Sequence, residues 1–294
     1  LKNYNPGKMR TQGWELTATY RLKTENWLHN FSLSLGDAWN EVTYYEGFEQ
    51  IDQKEEFWQI KREGLPLNSY YGYKTDGIFQ SYEEIANSAT PTNLDVHPGD
   101  LKFVDRNGDG VIDADDRFYL GNGFPRYTLG FTYDVKWKGF DFTVFLQGVL
   151  KRDMMIRGEL VEPFHANYGY TMYKHMLDFW TPTNTGAQYP RLASGGSSLT
   201  NNWKMGSDIY QYDGSYLRVK NIALGYTLPQ DLTQKWGIQK LRVYVNAQNA
   251  FTFSHVSFID PEVSEFNNNM SGSAISGRTY PQLRYYGMGV DITF

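Results

Sequence analysis

The sequence predicts an all-β protein, specifically an antiparallel transmembrane β-barrel segment with long loops on one rim. Three observations predict it. Aromatic side chains make up 17% of the 294 residues, with 23 Tyr, 18 Phe and 8 Trp, a composition that favours strands. Apolar and polar residues alternate with a period of two along most of the chain. The connections between the alternating stretches are short and long in turn.

The stretches follow in order. In GWELTATYRLK (13–23), Trp14, Leu16, Ala18, Tyr20 and Leu22 alternate with Glu15, Thr17, Thr19, Arg21 and Lys23. HNFSLSLGD (29–37) repeats the pattern through Phe31, Leu33 and Leu35. RYTLGFTYDVKW (126–137) has Tyr127, Leu129, Phe131, Tyr133, Val135 and Trp137 on one face and a nearly wholly polar opposite face. FDFTVFLQG (140–148), KLRVYVNAQNAF (240–251) and the final RYYGMGVDITF (284–294) behave alike. GSYLRVKNIALGYTL (214–228) changes phase: Leu217 and Val219 fall on one parity, Ile222, Leu224 and Tyr226 on the other. A β-bulge near Lys220 and Asn221 reconciles the halves. About seven strands of roughly 9 to 14 residues result.

Short connections at 24–26, 138–139 and 229–239 alternate with long ones at about 37–125, 149–213 and 252–283. Tight turns on one rim and long loops on the other characterise outer-membrane barrels, with the turns periplasmic and the loops extracellular; a soluble sandwich has no reason to sort them. Trp27, Trp137, Phe140, Tyr226 and Trp236 adjoin the short connections, where an interfacial aromatic girdle is expected. No apolar run approaches the roughly 18 residues of a spanning helix, and the mean hydropathy is -0.57. Barrels escape that test, because only alternate residues meet lipid.

Other classes are narrowed by composition. A net charge of -5 gives no basic footprint for nucleic acid. Cysteine is absent, which removes disulfides, thiolate nucleophiles and Cys-based zinc sites. The five histidines are scattered, and the acidic pairs are sequence neighbours in polar loops, as solvated charge would be. No nucleophile elbow, Walker or dinucleotide pattern occurs, so an enzyme is not predicted.

Chain ends carry expectations too. Leu1 opens without a leader, and strand alternation starts within about a dozen residues, so the chain reads as the tail of something longer. Seven strands cannot close a bacterial barrel, whose strand number is even and whose edges must pair. Further strands are expected upstream. The terminal Phe294 ends an apolar stripe, as outer-membrane proteins commonly end, and implies recognition by the barrel-assembly machinery.

One stretch stands apart. DRNGDGVIDADD (105–116) offers Asp105, Asn107 and Asp109 as side-chain ligands, the Val111 carbonyl, then Asp113 and Asp116, with Gly110 at the tight turn. Oxygen fills every slot of an EF-type loop, so Ca2+ is the predicted ligand, structural in role. Position twelve carries Asp rather than Glu, and neither flank reads as a helix. Loop aromatics, among them Tyr71, Tyr168, Trp203 and Tyr212, are candidates for stacking on a substrate or for a protein interface, two roles the sequence does not separate. Residues 170–180 (YTMYKHMLDFW) have apolar spacing suited to a short loop helix.

Several stretches together resemble one family, the SusC/RagA-like TonB-dependent outer-membrane transporters of Bacteroidota. They are EGLPLNSYYGYKTDGIFQSYEEI (63–85), PGDLKFVDRNGDGVIDADDR (98–117), GNGFPRYTLGFTYDVKWKGFDFTVFLQG (121–148), DGSYLRVKNIALGYTLP (213–229), LRVYVNAQNAFTFS (241–254) and the terminal GMGVDITF. SYLRVKNIALGYTLP is the most specific, since generic β patterning seldom mixes Arg, Lys, Asn and Gly so within a strand. The resemblance implies a plugged barrel of about 22 strands, of which residues 1–294 look like the C-terminal part, without the N-terminal plug and TonB box. It further implies import of oligosaccharides or peptides, energy from TonB-ExbB-ExbD, a SusD-like surface lipoprotein as lid, and outer-membrane lipid around the wall. The competing reading is a secreted, calcium-stabilised β-sheet module that binds glycan.

Overall fold

The computed structural model describes residues 7–46, 50–54, 57–157, 160–164, 172–193, 202, 205–262, 274–275 and 280–294. Its largest unit is a seven-stranded antiparallel sheet: β1 (Gly7–Lys23), β2 (Trp27–Tyr45), β3 (Arg126–Trp137), β4 (Phe140–Lys151), β5 (Tyr216–Thr227), β6 (Lys240–Ser254) and β7 (Tyr285–Thr293). Spatial order equals chain order, so the sheet is an unbroken meander.

Register fixes which residues share a face. Phe31 of β2 lies opposite Tyr133 of β3, which lies opposite Val144 of β4, then Ile222 of β5, Ala247 of β6 and Tyr286 of β7. Neighbouring rows continue the apolar set through Leu33, Phe131 and Leu146, and through Leu224, Val245 and Met288. One face is therefore apolar across the whole sheet. The other carries Thr17, Thr19, Ser32, Ser34, Thr132, Thr143 and Asn246. The apolar face is bare: Leu16 is 52% exposed, Tyr20 61%, Val245 54% and Met288 87%. A sandwich would have buried these side chains against a second sheet.

The bulge expected in β5 is present. Register shifts between Val219 and Asn221 against β6, and between Phe145 and Leu146 on the β4 side. The extra residue, Lys220, absorbs the phase change, so Val219 and Ile222 both reach the apolar face.

The three short connections lie on one rim. Lys138 and Gly139 both have positive φ, 43° and 89°, as a two-residue type I′ hairpin turn requires. The β5–β6 connection is a helical turn, Gln230–Thr233, continued by Gln234–Trp236 and stopped at Gly237, which takes the left-handed conformation (φ 70°). Beside these turns a row of rings crosses four strands: Trp27 stacks on Trp137 (5.2 Å between centroids), Trp137 on Phe140 (5.9 Å), and Phe140 contacts Tyr226 (4.5 Å). Above it His29 Nδ1 lies 2.9 Å from the Tyr133 hydroxyl. The expected girdle is thus a continuous belt, with Trp236 exposed in the turn beyond it.

Several strands overrun the predicted loop starts. β2 continues to Tyr45, β4 to Lys151 and β6 to Ser254. At about 3.3 Å per residue the 19 residues of β2 span roughly 60 Å, well beyond the 9 to 11 residues that cross a bilayer. The excess escapes the sequence pattern because regular alternation is lost over DAWNEVTYY (37–45).

Nor are the long connections plain loops. The first forms a four-stranded sheet from Gln50–Lys54, Phe57–Lys61, Ser69–Gly72 and Phe118–Gly121, beside a pair formed by Thr75–Ile78 and Leu101–Phe103. The second and third share a three-stranded sheet of Asp153–Ile156, Gln211–Asp213 and Ala274–Ile275. All three connections contribute to one buried core, with Tyr70 and Leu120 from the first, Met154, Met155, Ile156, Leu160, Val161 and Tyr210 from the second, and Val256 from the third. They form a packed crown over the rim opposite the short turns. Of the stretch 170–180, where a short loop helix is expected, residues 172–180 are described and hold a 3-10 turn, Lys174–Leu177, in which Met176 is buried.

Candidate functional site

The polar face and the crown above it hold the charged and aromatic side chains of interest. Bulging Lys220 out of the ladder brings its side chain to the same carboxylate as Arg218. Arg218 Nη2 is 2.6 Å from Asp260 Oδ1, its Nη1 is 3.0 Å from Glu262 Oε2, and its Nε donates to Thr252 Oγ1 (2.8 Å). Lys220 Nζ meets Glu262 Oε2 at 2.7 Å. Asp260 Oδ2 also accepts from the Gln282 amide at the far end of the third connection. The cluster therefore ties that connection to the wall at both of its ends.

A second node joins the first and second connections. Asp100, fully buried, accepts from Arg191 Nε (2.7 Å) and Nη2 (3.1 Å), from Asn202 Nδ2 (2.9 Å) and from the His97 amide (2.9 Å). Asp208 Oδ1 accepts from both the Thr75 amide and hydroxyl. Multiply bonded carboxylates of this kind, Asp100 fully buried and Asp208 half-buried, hold segments in register.

The EF-type loop lies at the edge of this crown. Asp105 Oδ1 accepts from the Gly108 amide (2.6 Å) and Oδ2 from the Gly110 amide (2.9 Å), with both glycines at positive φ. Asp109 Oδ1 accepts from the Val111 amide, and Asn107 donates to Asp109 Oδ2. Asp113 accepts from the Asp115 amide, and Asp116 accepts from the Arg106 and Asp113 amides. Ile112, the next residue after Val111, is buried with Tyr73, Leu101, Phe103 and Met205, and its amide donates to the Thr90 carbonyl. Strands Leu101–Phe103 and Phe118–Gly121 flank the loop, so its setting is β, as the sequence suggested. The donor set is hard oxygen and suits calcium in kind. In this geometry the carboxylates turn to the loop's own amides, and among the described residues no three acidic or histidine side chains converge as a metal-ligating group.

The Gly110 and Gly108 amides hold the Asp105 carboxyl below the ordinary carboxylate range. A lowered carboxyl stabilises the folded loop above its unfolded value of about 3.9, and that contribution is lost as pH falls through the lower folded value. The loop should accordingly keep its shape in mild acid. Loop amide shifts that collapse between about pH 6 and pH 5, above the ordinary carboxylate range, would contradict this.

Loop aromatics divide sharply. Tyr71 is buried, with the Arg62 guanidinium over its ring, and Tyr70, Tyr73 and Tyr210 are buried too. In this conformation none offers a free face. Tyr212 is half-buried, edge-on to Phe258 (5.4 Å), and burial holds its hydroxyl well above the ordinary tyrosine value, as it does for Tyr210. Tyr168 and Trp203 lie outside the described residues. The chain builds a second core where the sequence suggests loop aromatics free to stack.

Asp213, Ser215 and His255 assemble at the mouth of β5. Ser215 Oγ and Asp213 Oδ2 both approach the same ring nitrogen, His255 Nδ1, at 3.1 and 3.2 Å. A catalytic relay needs them on opposite nitrogens.

A meandering wall with one bare apolar face, short turns on one rim and a packed crown on the other is the architecture of a transmembrane β-barrel segment, and the comparisons say of which kind. No known family model matches the chain. Among curated proteins it is 34% identical over 243 residues to TonB-dependent receptor P3 of Formosa agariphila, covering 80% of this chain and 23% of that protein. To TonB-dependent receptor P26 of the same organism it is 30% identical over 302 residues, 99% of this chain and 30% of that protein. To TonB-dependent receptor SusC of Bacteroides thetaiotaomicron it is 26% identical over 304 residues, covering 99% and 27%. Its fold matches the RagAB peptide transporter with a TM-score of 0.74 at 22% identity, covering 99% of this chain and 30% of that one. The same importer in its open-open state gives a TM-score of 0.72. The chain is thus a homologue of the TonB-dependent receptors, SusC-like and RagA-like in its fold. It spans less than a third of the length of these relatives.

Proposed function

We propose that this chain is part of the barrel wall of an outer-membrane active importer of a Bacteroidota bacterium, energised through TonB, carrying oligosaccharides or peptides with a SusD-like surface lipoprotein as its lid. The apolar face then meets lipid, the polar face the lumen, the short turns the periplasm and the crown the cell exterior. One observation carries the reading: the apolar face stays uncovered across all seven strands while the polar face and crown hold buried or half-buried ion pairs such as Arg218–Asp260 and Arg242–Asp141. A secreted glycan-binding module would leave that face in water, which the exposure of residues such as Met288 makes untenable for a soluble monomer.

The receptor should be extracted from outer membranes only with detergent and should migrate faster unboiled than boiled. Uptake of oligosaccharide or peptide pools should stop when TonB is deleted, and a lipoprotein should co-purify. Soluble recovery without detergent would sink the membrane reading; uptake that survives TonB loss would sink active transport.

We also propose that Ca2+ occupies residues 105–116, held by Asp105, Asn107, Asp109, the Val111 carbonyl, Asp113 and Asp116, and braces the crown. Support comes from the unbroken oxygen donor set and from Ile112, whose burial roots the loop in the crown core. Terbium luminescence should report binding, competed by calcium and lost in Asp105→Ala. An unchanged signal in that variant would remove the site.

A further inference from the structure

The apolar face is not filled evenly. Between β2 and β4 its rows carry rings and leucines, as in Phe31–Tyr133–Val144 and Leu33–Phe131–Leu146. Along β6 the side chains shrink instead: Val243, Val245 and Ala247 stand between Tyr226, Leu224 and Ile222 of β5 and Val290, Met288 and Tyr286 of β7. The result is a valley that follows one strand. Over Val243 and Val245 it is an open groove of about 470 Å3, walled by Phe140, Leu224, Tyr226, Met288 and Val290.

Dimensions decide what the valley suits. Its ridges stand two strand intervals apart, about 9.6 Å, and its three rows run roughly 14 Å along β6. A hydrocarbon chain laid on β6 lies close to carbon contact distance, about 4 Å, from both ridges, and a second chain has no room beside it. The aromatic belt closes the foot, where Phe140 and Tyr226 meet at 4.5 Å. Belts of this kind mark headgroup depth. Two ammonium groups stand in the turns just beyond: Lys138 in the hairpin before Phe140, and Lys235 in the helical turn that joins β5 to β6. The hairpin sits on the groove's foot, since a Cβ added at Gly139 would lie 3.1 Å from the Tyr226 ring. Lys138 Nζ lies over the Trp137 ring (5.9 Å), and among the described residues neither lysine has a carboxylate within ion-pair distance. Asp231 is the acid in the helical turn.

We propose that the valley on β6 seats one anionic phospholipid of the leaflet on the short-turn side, with an acyl chain over Val243, Val245 and Ala247 and the phosphate between Lys138 and Lys235. The inference rests on the barrel reading above, since only there does this face meet lipid. Lipid that merely surrounds a wall exchanges at every position. Here shape selects one place and charge selects one headgroup class, because a zwitterionic lipid brings an ammonium of its own toward the two lysines.

The test is native mass spectrometry of the whole receptor in mild detergent, titrated with phosphatidylglycerol or with phosphatidylethanolamine. One phosphatidylglycerol should be retained ahead of all others. Lys138→Gln and Lys235→Gln should each weaken its retention about fivefold, the weight of one basic residue at an anionic membrane surface. Val245→Phe, which fills the valley with another apolar side chain, should abolish retention while heat-modifiable migration is kept, and Leu33→Phe, on the evenly filled part of the face, should leave it unchanged. Equal retention of phosphatidylethanolamine, a ladder of lipids with no preferred first one, unchanged retention in Val245→Phe or in both lysine variants, or a matching loss in Leu33→Phe would overturn the seat and leave the barrel reading intact. Loss of heat-modifiable migration in the unmodified receptor would instead strike the barrel reading itself.

Discussion

Replacing Arg218 with alanine should detach the third long connection from the wall and cost about 3 to 5 kcal/mol, the range for removing one partner of a buried ion pair. The Arg218 side chain is 3% exposed, and its loss strands Asp260 and Glu262, which are 8% and 13% exposed, with Lys220 the ammonium left beside them among the described residues. Attraction does not set the size of the effect; the desolvation of two carboxylates left behind does. Arg218→Lys should recover only part of it, because an ammonium cannot fork between two acids and Thr252. Denaturant unfolding in detergent measures the change, and limited proteolysis near Asp260 locates it. Arg10→Ala is the control: its pair with Glu41 sits at 59% and 40% exposure and should change stability by less than about 1 kcal/mol. Equal effects at the two arginines would show that the cluster is not a staple.

Phe131→Arg should lower the yield of assembled wall by about 2 to 4 kcal/mol if the residue sits near the bilayer midplane, whereas Thr132→Arg should be mild. The two residues are adjacent on β3 and point to opposite faces. Phe131 lies between Leu33 and Leu146 in the apolar rows, and Thr132 between Ser32 and Phe145 on the other side. A guanidinium in hydrocarbon has no partner, but in an aqueous lumen it keeps its water. The fraction of heat-modifiable protein in outer membranes measures the contrast, and similar tolerance at both positions would contradict the assigned orientation.

What the sequence disclosed follows from periodicity. Strands with one apolar face announce themselves every second residue, so β3, β4 and β7 were legible almost to their ends, and the broken phase around Lys220 betrayed the bulge. The bulge's purpose was not legible. Glu262 is 42 residues from Lys220 in a polar stretch, and nothing local links them. The signal available was the pair of cations, Arg218 and Lys220, inside a strand where alternation allowed one polar face and no excess charge. The crown was missed for a related reason. Tyr70 and Tyr71 sit in a four-residue strand too short to show a period; Tyr70 is buried with Met154, Met155 and Tyr210, and Tyr73 just beyond it with Leu101, Phe103 and Met205, all far away in the chain. The calcium-type loop was found because its oxygens recur at fixed offsets, yet the amides that Asp105 and Asp116 bind could be seen only in three dimensions.

The shared interior of the three connections restricts how the mouth can move. Val256 packs in the same cluster as Tyr70 and Met155, so no single connection can swing aside while the others stay put. An aperture must come either from tilting the entire cap as one body or from prying a connection loose. Prying bares large side chains to water at about 1.5 to 3 kcal/mol apiece, so tilting is the cheaper movement.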